Sequence, residues 1–354
     1  MLFEGILYDK NPDSSTRCRL CAHYCTIKPG KRGICHVREN RDGTLYSLVY
    51  GKLVARNVDP IEKKPLYHFE PGTLSYSIAT AGCNMSCKHC QNYHISMEAV
   101  RSDPIPGYDS TPGEVVNDAI STGCSSIAYT YTEPTIFMEF ARDCAVQASG
   151  EGLSNVFVTN GYMSEESAVL ASEFLDAANI DLKAATDEHY RKICGARLQP
   201  VLDTVRTLHE AGVWIEVTTL VIPGYNDDSA SLEFITAFIA SVDPGIPWHI
   251  SRFFPTYKLQ DAPPTPIDTL ERAGRIGEEA GLKHVYLGNV PGRSDETRCS
   301  SCGSVLIRRA GFGIKELNLT EDGNCNGCGA AFEGVLGKSK DQNPKSNGNS
   351  QKLI

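Results

Sequence analysis

Leu74-Ser-Tyr-Ser-Ile-Ala-Thr80 runs directly into Ala81-Gly-Cys-Asn-Met-Ser-Cys-Lys-His-Cys-Gln-Asn-Tyr93. The first stretch alternates apolar and small polar residues, as a strand does. The second places Cys83, Cys87 and Cys90 in a C-x₃-C-x₂-C pattern on the loop that leaves the strand. Protein iron–sulfur cubanes usually take four thiolates, one for each iron. Three close cysteines with no nearby fourth would leave one iron without a protein ligand. An open position on a metal is a binding site, where a small chelating molecule could coordinate and receive an electron. A partial zinc site or three buried thiols is the plainer alternative, and the strand–loop–helix setting argues against it.

Outward from this loop, apolar runs of strand length recur at 125–131, 155–159, 178–182, 214–222, 248–254 and 284–287. Amphipathic segments at 112–121, 135–148, 165–175, 199–211, 229–240 and 267–280 lie between them, and Gly212 and Gly281 stand where helix C-caps are expected. Strands alternating with helices imply a parallel sheet. The expected architecture is α/β: a partial, open parallel β/α barrel with its site at the C-terminal strand ends. Periodicity alone leaves a doubly wound sheet as the alternative. The chain divides into a cysteine-rich N-terminal segment (1–72), a core (73–295), a ribbon-like lobe (296–335) and a polar tail (336–354) expected to be disordered.

At the far end, Cys299-Ser-Ser-Cys302-Gly and Cys325-Asn-Gly-Cys328-Gly are two knuckles separated by 22 residues. Four thiolates in this arrangement suit a closed, structural Zn²⁺ or single-iron site, and zinc is the expectation. At the near end Cys18, Cys21, Cys25 and Cys35 form C-x₂-C-x₃-C-x₉-C, which suggests either a structural zinc or a second iron–sulfur cluster. His23 and His36 are possible substitute ligands there. Cys124, Cys144 and Cys194 have no partners in spacing and read as buried single thiols. The 354-residue chain has no 18-residue apolar run, so no membrane span is expected. It shows no basic-then-apolar leader, and clustered cysteines without one point to metal sites in a reducing cytoplasm. A net charge of −9 argues against a nucleic-acid groove.

The cysteine loop resembles the signature of the radical S-adenosylmethionine (SAM) enzymes. Further matching runs are Asp59-Pro-Ile-Glu-Lys-Lys-Pro-Leu-Tyr-His68, Tyr129-Thr-Tyr-Thr-Glu-Pro-Thr135, Val158-Thr-Asn-Gly-Tyr162, Asn179-Ile-Asp-Leu-Lys183, Leu220-Val-Ile-Pro-Gly-Tyr-Asn-Asp227 and Gly288-Asn-Val-Pro-Gly292. With them the chain is similar to the branch of the pyruvate formate-lyase activating enzymes, and more closely to the "AmmeMemoRadiSam system" radical SAM proteins of archaea and bacteria. The resemblance implies a [4Fe-4S] cluster on Cys83, Cys87 and Cys90, with SAM on its open iron. It places His89 near the adenine and Glu133 at the SAM amino group. In this chain Tyr131-Thr132-Glu133 stands where the family has glycine-glycine-glutamate. Asp181-Leu-Lys183 matches an element whose lysine pairs with the SAM carboxylate. Residues two apart at a barrel rim are each drawn to other partners, so an Asp181–Lys183 pair is the less favoured reading. Thr159 and Asn160 match a turn near a cation site, from which Val158 removes an acidic group. His249 reads as a core residue, with the ribose or substrate as its other reach.

The implied activity is reductive cleavage of SAM and hydrogen abstraction from a protein or peptide partner, with electrons from a ferredoxin or flavodoxin. No residue is singled out as catalytic. The alternatives are an activase that installs a glycyl radical and a non-catalytic zinc scaffold. The resemblance associates the chain with Memo-like and AMMECR-like partners. Association is not contact.

Overall fold

A computed structural model describes residues 2–337 of the chain; the tail expected at 336–354 lies, beyond Gly337, outside the described residues. Seven strands form the central sheet in parallel: β2 (Leu74–Thr80), β3 (Ser126–Tyr129), β4 (Ser154–Thr159), β5 (Ala177–Asp181), β6 (Trp214–Val221), β7 (Trp248–Arg252) and β8 (Val285–Gly288). Each pairs with the next in chain order, and the order never reverses. A doubly wound sheet requires such a reversal, so the fold is the open barrel. β3 and most of β2 are buried along their length, as expected for parallel strands covered on both faces.

The connecting helices are α1 (Pro112–Ser121), α2 (Met138–Gly150), α3 (Glu165–Ser172), the single turn α4 (Asp187–His189), α5 (Gln199–Glu210), α6 (Ser229–Val242) and α7 (Ile267–Glu279). Local chemistry starts several of them. Thr111 and Glu114 form a capping box at α1, Ser164 caps α3 and Asp228 caps α6, each occupying amides that a helix N-terminus leaves open. Their apolar faces join the strands in one core that runs from Leu20 and Val37 to Trp248 and Leu287.

One boundary moves. β1 (Lys52–Pro60), assigned from sequence to the N-terminal segment, lies antiparallel to β2 and extends the central sheet. The apolar residues Leu53 and Val58 were too sparse a pattern to show which sheet the strand joins. Before β1 the chain forms two small antiparallel sheets, with Cys18 on a strand and Cys21, Cys25 and Cys35 on the connections between strands. They are fixed to the core by Arg38, whose buried guanidinium grips both carboxylate oxygens of Glu139 on α2.

After β8 the chain forms an antiparallel meander, β9 (Ser294–Arg298), β10 (Val305–Ala310) and β11 (Gly313–Leu317). Arg309 on β10 is fully buried and joins this lobe to the segment after β1. It donates to the Tyr67 carbonyl at 2.5 Å and to Thr297 Oγ1 at 2.8 Å, with Glu62 Oε1 3.7 Å away. His68 completes the joint, with Nδ1 2.6 Å from the Glu333 carbonyl and Nε2 2.6 Å from the Tyr286 hydroxyl.

Candidate active site

The cysteine loop leaves β2 at its C-terminal end, and two glycines let it lie where it does. Gly82 has φ +106°, and a Cβ there would stand 2.8 Å from Val37 Cγ1 and 3.2 Å from the Cys35 carbonyl. Gly195 has φ +70°, and its Cβ would be 2.4 Å from Ser86 Oγ. The loop is therefore pressed between the N-terminal segment and a widened turn at Tyr190–Cys194. The amides of Ser86 and Lys88 donate to the carbonyls of Cys194 and Ile193 at 2.8 and 2.9 Å. Cys83, Cys87 and Cys90 all face a cavity of about 570 Å³, which also takes in His89, Glu133, Thr159, Asn160, Asp181 and Lys183. Every residue named from sequence for the cluster and SAM thus lines one space at the C-terminal ends of the strands.

Glu133 is fully buried. It accepts from the amide and hydroxyl of Thr135 (3.0 and 2.6 Å), the hydroxyl of Thr159 (2.7 Å) and the amide of Asn160 (2.8 Å). Burial raises its pKa above the usual carboxylate range against these bonds. No ion pair reaches it among the described residues. Asn160 extends the network, donating at 2.8 Å to Asn84 Oδ1 and lying 3.6 Å from Cys83 Sγ. The family's glycines are absent, yet Tyr131 takes the left-handed conformation (φ +62°) that a glycine would take there. Its hydroxyl donates to Asp59, its ring lies 4.6 Å from Lys64 Nζ, and its carbonyl accepts from Asn92.

At the opposite wall Lys183 Nζ lies 2.7 Å from Asp181 Oδ2. The pairing disfavoured from sequence is the one present: at the end of β5 both side chains turn toward the same cavity, and the two charges meet. Burial works to lower the Lys183 pKa, but Asp181 and the Cys87 thiol hold its ammonium well above the usual lysine value. His89 is buried, and burial together with the charges of Lys183 and His189 pushes its pKa down to about 3, which keeps the ring neutral. Its Nδ1 has no hydrogen-bond partner.

Other residues arrive that the sequence did not offer. Lys64 is buried on the cavity wall with Nζ 2.6 Å from Asp59 Oδ2, and burial lowers its pKa to about 8. Cys194 is buried as expected, but its sulfur and those of Cys87 and a His89 ring nitrogen lie within 4.8 Å of one another. His249 stays in the core, with Nε2 2.6 Å from Glu216 Oε2. No spacing links Lys64, Cys194 and the loop, because sheet pairing and the widened turn bring them together.

In the C-terminal lobe all four cysteines converge, with 3.7 Å between Cys299 and Cys328 and between Cys302 and Cys325. Metal–sulfur bonds of about 2.3 Å in a tetrahedron give a sulfur–sulfur edge of about 3.8 Å, so the four fit one ion. At the N-terminus Cys18 and Cys35 are buried and Cys21 and Cys25 half-buried. His36 is exposed. His23 instead places Nε2 2.7 Å from the Asn84 carbonyl.

The Radical SAM superfamily model matches residues 77–235, and the chain belongs to that superfamily. It is 47% identical over 336 residues to an uncharacterized protein of Methanocaldococcus jannaschii, MJ0808, covering 94% of this chain and 99% of that one. It is 23% identical over 224 residues to pyruvate formate-lyase 1-activating enzyme of Escherichia coli, covering 58% and 89%. A radical SAM methyltransferase from Sphaerobacter thermophilus aligns at TM-score 0.49 and 15% identity over 67% of this chain and 71% of that one. The protein is a radical SAM enzyme resembling the activating enzymes, which sets aside the non-catalytic scaffold. Among the described residues no helix is long and apolar enough to cross a membrane.

Proposed function

We propose that Cys83, Cys87 and Cys90 hold a [4Fe-4S] cluster, that SAM fills the cavity above it, and that the enzyme abstracts hydrogen from a protein or peptide partner. One observation carries the reading: a buried carboxylate with no cation against it among the described residues, Glu133, and a lysine, Lys183, line the same 570 Å³ cavity as the three thiols. A zwitterionic amino-acid moiety offers an ammonium to one and a carboxylate to the other. The volume is ordinary for a small-molecule site. When bound and reduced, the cluster supplies the electron that splits the SAM sulfonium into methionine and a 5′-deoxyadenosyl radical.

The chain's own groups do the positioning. Glu133 is fixed by Thr135, Thr159 and Asn160, so it needs no rearrangement to receive an ammonium. Asp181 holds Lys183 at the cavity wall for a carboxylate. His89, held neutral, suits an adenine better than an imidazolium would. The Met85 amide, 3.4 Å from Cys83 Sγ, supports a thiolate there. The likeness to enzymes whose names say they activate other enzymes supports a protein substrate, and reduction of the cluster calls for a low-potential one-electron donor of the ferredoxin or flavodoxin class. The glycyl-radical activase remains the narrower form of the same reading. Free thiols at all fourteen cysteines suit a reducing compartment such as the cytoplasm.

The test is anaerobic reconstitution, one-electron reduction and incubation with SAM, with and without candidate partner proteins. Methionine and 5′-deoxyadenosine should form in the wild type and not in the Cys83→Ala/Cys87→Ala/Cys90→Ala variant. A cluster-loaded, reduced wild type that leaves SAM intact would overturn the proposal.

A further inference from the structure

The four N-terminal thiols lie against the back of the loop that carries Cys83. The Cys35 carbonyl stands 3.2 Å from the place a Gly82 Cβ would take, and Gly82 is joined directly to Cys83. His23, inside the quartet, reaches the Asn84 carbonyl at 2.7 Å, and the Ala22 amide donates to the Tyr162 carbonyl. One wall of backbone therefore separates the quartet from the cavity thiols.

Backbone amides two residues on, from Leu20, His23 and Val37, point toward Cys18, Cys21 and Cys35, although burial is the larger effect and holds all three thiols above their usual pKa. The same N–H-to-sulfur arrangement appears at Cys83, from Met85, and at Cys325, from Gly327. Arg38 is buried beside the N-terminal thiols, and among the described residues its Nε–H has no hydrogen-bond acceptor although its other nitrogens are satisfied.

The sulfurs at the two ends of the chain are not spaced alike. The C-terminal four close to within 4.8 Å of one another, as ligands of one ion must. Among the described residues neither Cys83, Cys87 and Cys90 nor any three of the N-terminal four do so. A cubane accepts one thiolate per iron and holds its ligands farther apart than a single ion does.

We propose that Cys18, Cys21, Cys25 and Cys35 bind a second [4Fe-4S] cluster, closed by four thiolates, which relays electrons to the cluster on Cys83, Cys87 and Cys90. A low-potential one-electron donor of the ferredoxin or flavodoxin class takes the N-terminal cluster from the 2+ to the 1+ state. The electron then passes across the Cys35–Gly82–Cys83 wall. The N-terminal cluster returns to 2+ as its neighbour becomes 1+, and no bond or proton changes hands. The relay rests on the function proposed above; the cluster itself does not.

The experiment compares three full-length proteins reconstituted anaerobically with iron and sulfide: wild type, Cys83→Ala/Cys87→Ala/Cys90→Ala, and Cys21→Ser/Cys25→Ser, whose changes fall at the half-buried positions. Iron, sulfide and zinc are measured, and EPR spectra of the reduced proteins are recorded with and without SAM. Wild type should hold two clusters' worth of iron and sulfide. The triple variant should keep one cluster whose signal ignores SAM. The Cys21→Ser/Cys25→Ser protein should keep one whose signal shifts with SAM, and its reduction by flavodoxin should slow by roughly tenfold or more. A triple variant without cluster iron and sulfide, or a wild type with one cluster and two zinc ions, overturns the N-terminal cluster. Wild-type reduction rates in the double variant overturn the relay. A cluster kept in the triple variant alongside a wild-type signal indifferent to SAM would leave this assignment standing and remove the SAM site instead.

Discussion

Lys183 answers to two anions: Asp181 at 2.7 Å and the neighbourhood of Cys87. Its side chain is 14% exposed and that of Asp181 33% exposed, so removing the lysine leaves a carboxylate that water can still reach. Lys183→Ala should therefore weaken SAM binding by about tenfold to a hundredfold, the worth of a hydrogen bond to a charged group at about 1.5–3 kcal/mol. Its melting temperature should barely change. Calorimetry showing unchanged affinity would remove Lys183 from the site. Gly82→Ala tests the opposite case, a residue with no functional atom. The positive φ and the contact with Val37 and Cys35 should cost about 1–3 kcal/mol of stability. Iron content should fall at both N-terminal and cavity thiols; full iron loading at both would refute the shared wall. At this scale the thiols, Glu133 and Lys183 were legible because family motifs keep chemistry and spacing together. Lys64 and the left-handed Tyr131 were not, since Asp59, which holds both, comes from a strand more than sixty residues before Tyr131.

The parallel strands were readable from their apolar runs, and their order in the sheet then decided between the two architectures. Widened turns carry no comparable signal. Residues Tyr190–Cys194 read as an ordinary linker, yet this turn receives the cysteine loop through two backbone hydrogen bonds. β1 was missed because Arg56, Asn57 and Asp59 break its apolar pattern; beyond the short pairing of Lys52 and Leu53 with Asp109 and Tyr108 its outer side has no strand neighbour among the described residues, and such residues are tolerated there. The C-terminal lobe is a case where sequence and packing agree. Its own core is Cys299, Leu306, Ile307, Cys325 and Phe332, too little to fold without an ion whose binding contributes on the order of 10 kcal/mol. Cys302→Ser should unfold the lobe locally, exposing β9 to β11 to rapid hydrogen exchange or new protease cuts. Protection equal to wild type, or a wild-type protein with no zinc or single iron beyond its clusters, would contradict a structural ion there.

Across the whole molecule, acid sensitivity should arise both at the joint between barrel and C-terminal lobe, through His68, and in the cavity, through His89. Burial first, and then the charge of His284, lower the pKa of His68 from 6.5 to about 3, with Glu216 acting the other way. The unfolded chain thus binds the extra proton between these values, so stability rises with pH across that window and is lost as pH falls through it. The loss approaches a few kcal/mol at the low end. Urea midpoints should drop from pH 7 to pH 4.5, and less steeply in His68→Gln; identical slopes in the two proteins would show that His68 is not the group responsible.

The unreversed strand order also dictates a timetable. Cavity residues are synthesised in sequence, from Lys64 through Cys83, Glu133 and Asn160 to Lys183 and Ser251. After Cys90 is made, about 200 residues remain before β8 closes the parallel sheet. At about 5–20 residues per second, that interval is roughly 10–40 s. Seven of the cysteines proposed to hold clusters are therefore on the nascent chain, uncovered by the later strands, for most of a synthesis cycle. Iron delivered during that interval would meet thiols that the finished barrel has not yet arranged. Cluster insertion thus belongs after β8 has joined the sheet, and until then a reducing environment must keep these thiols free.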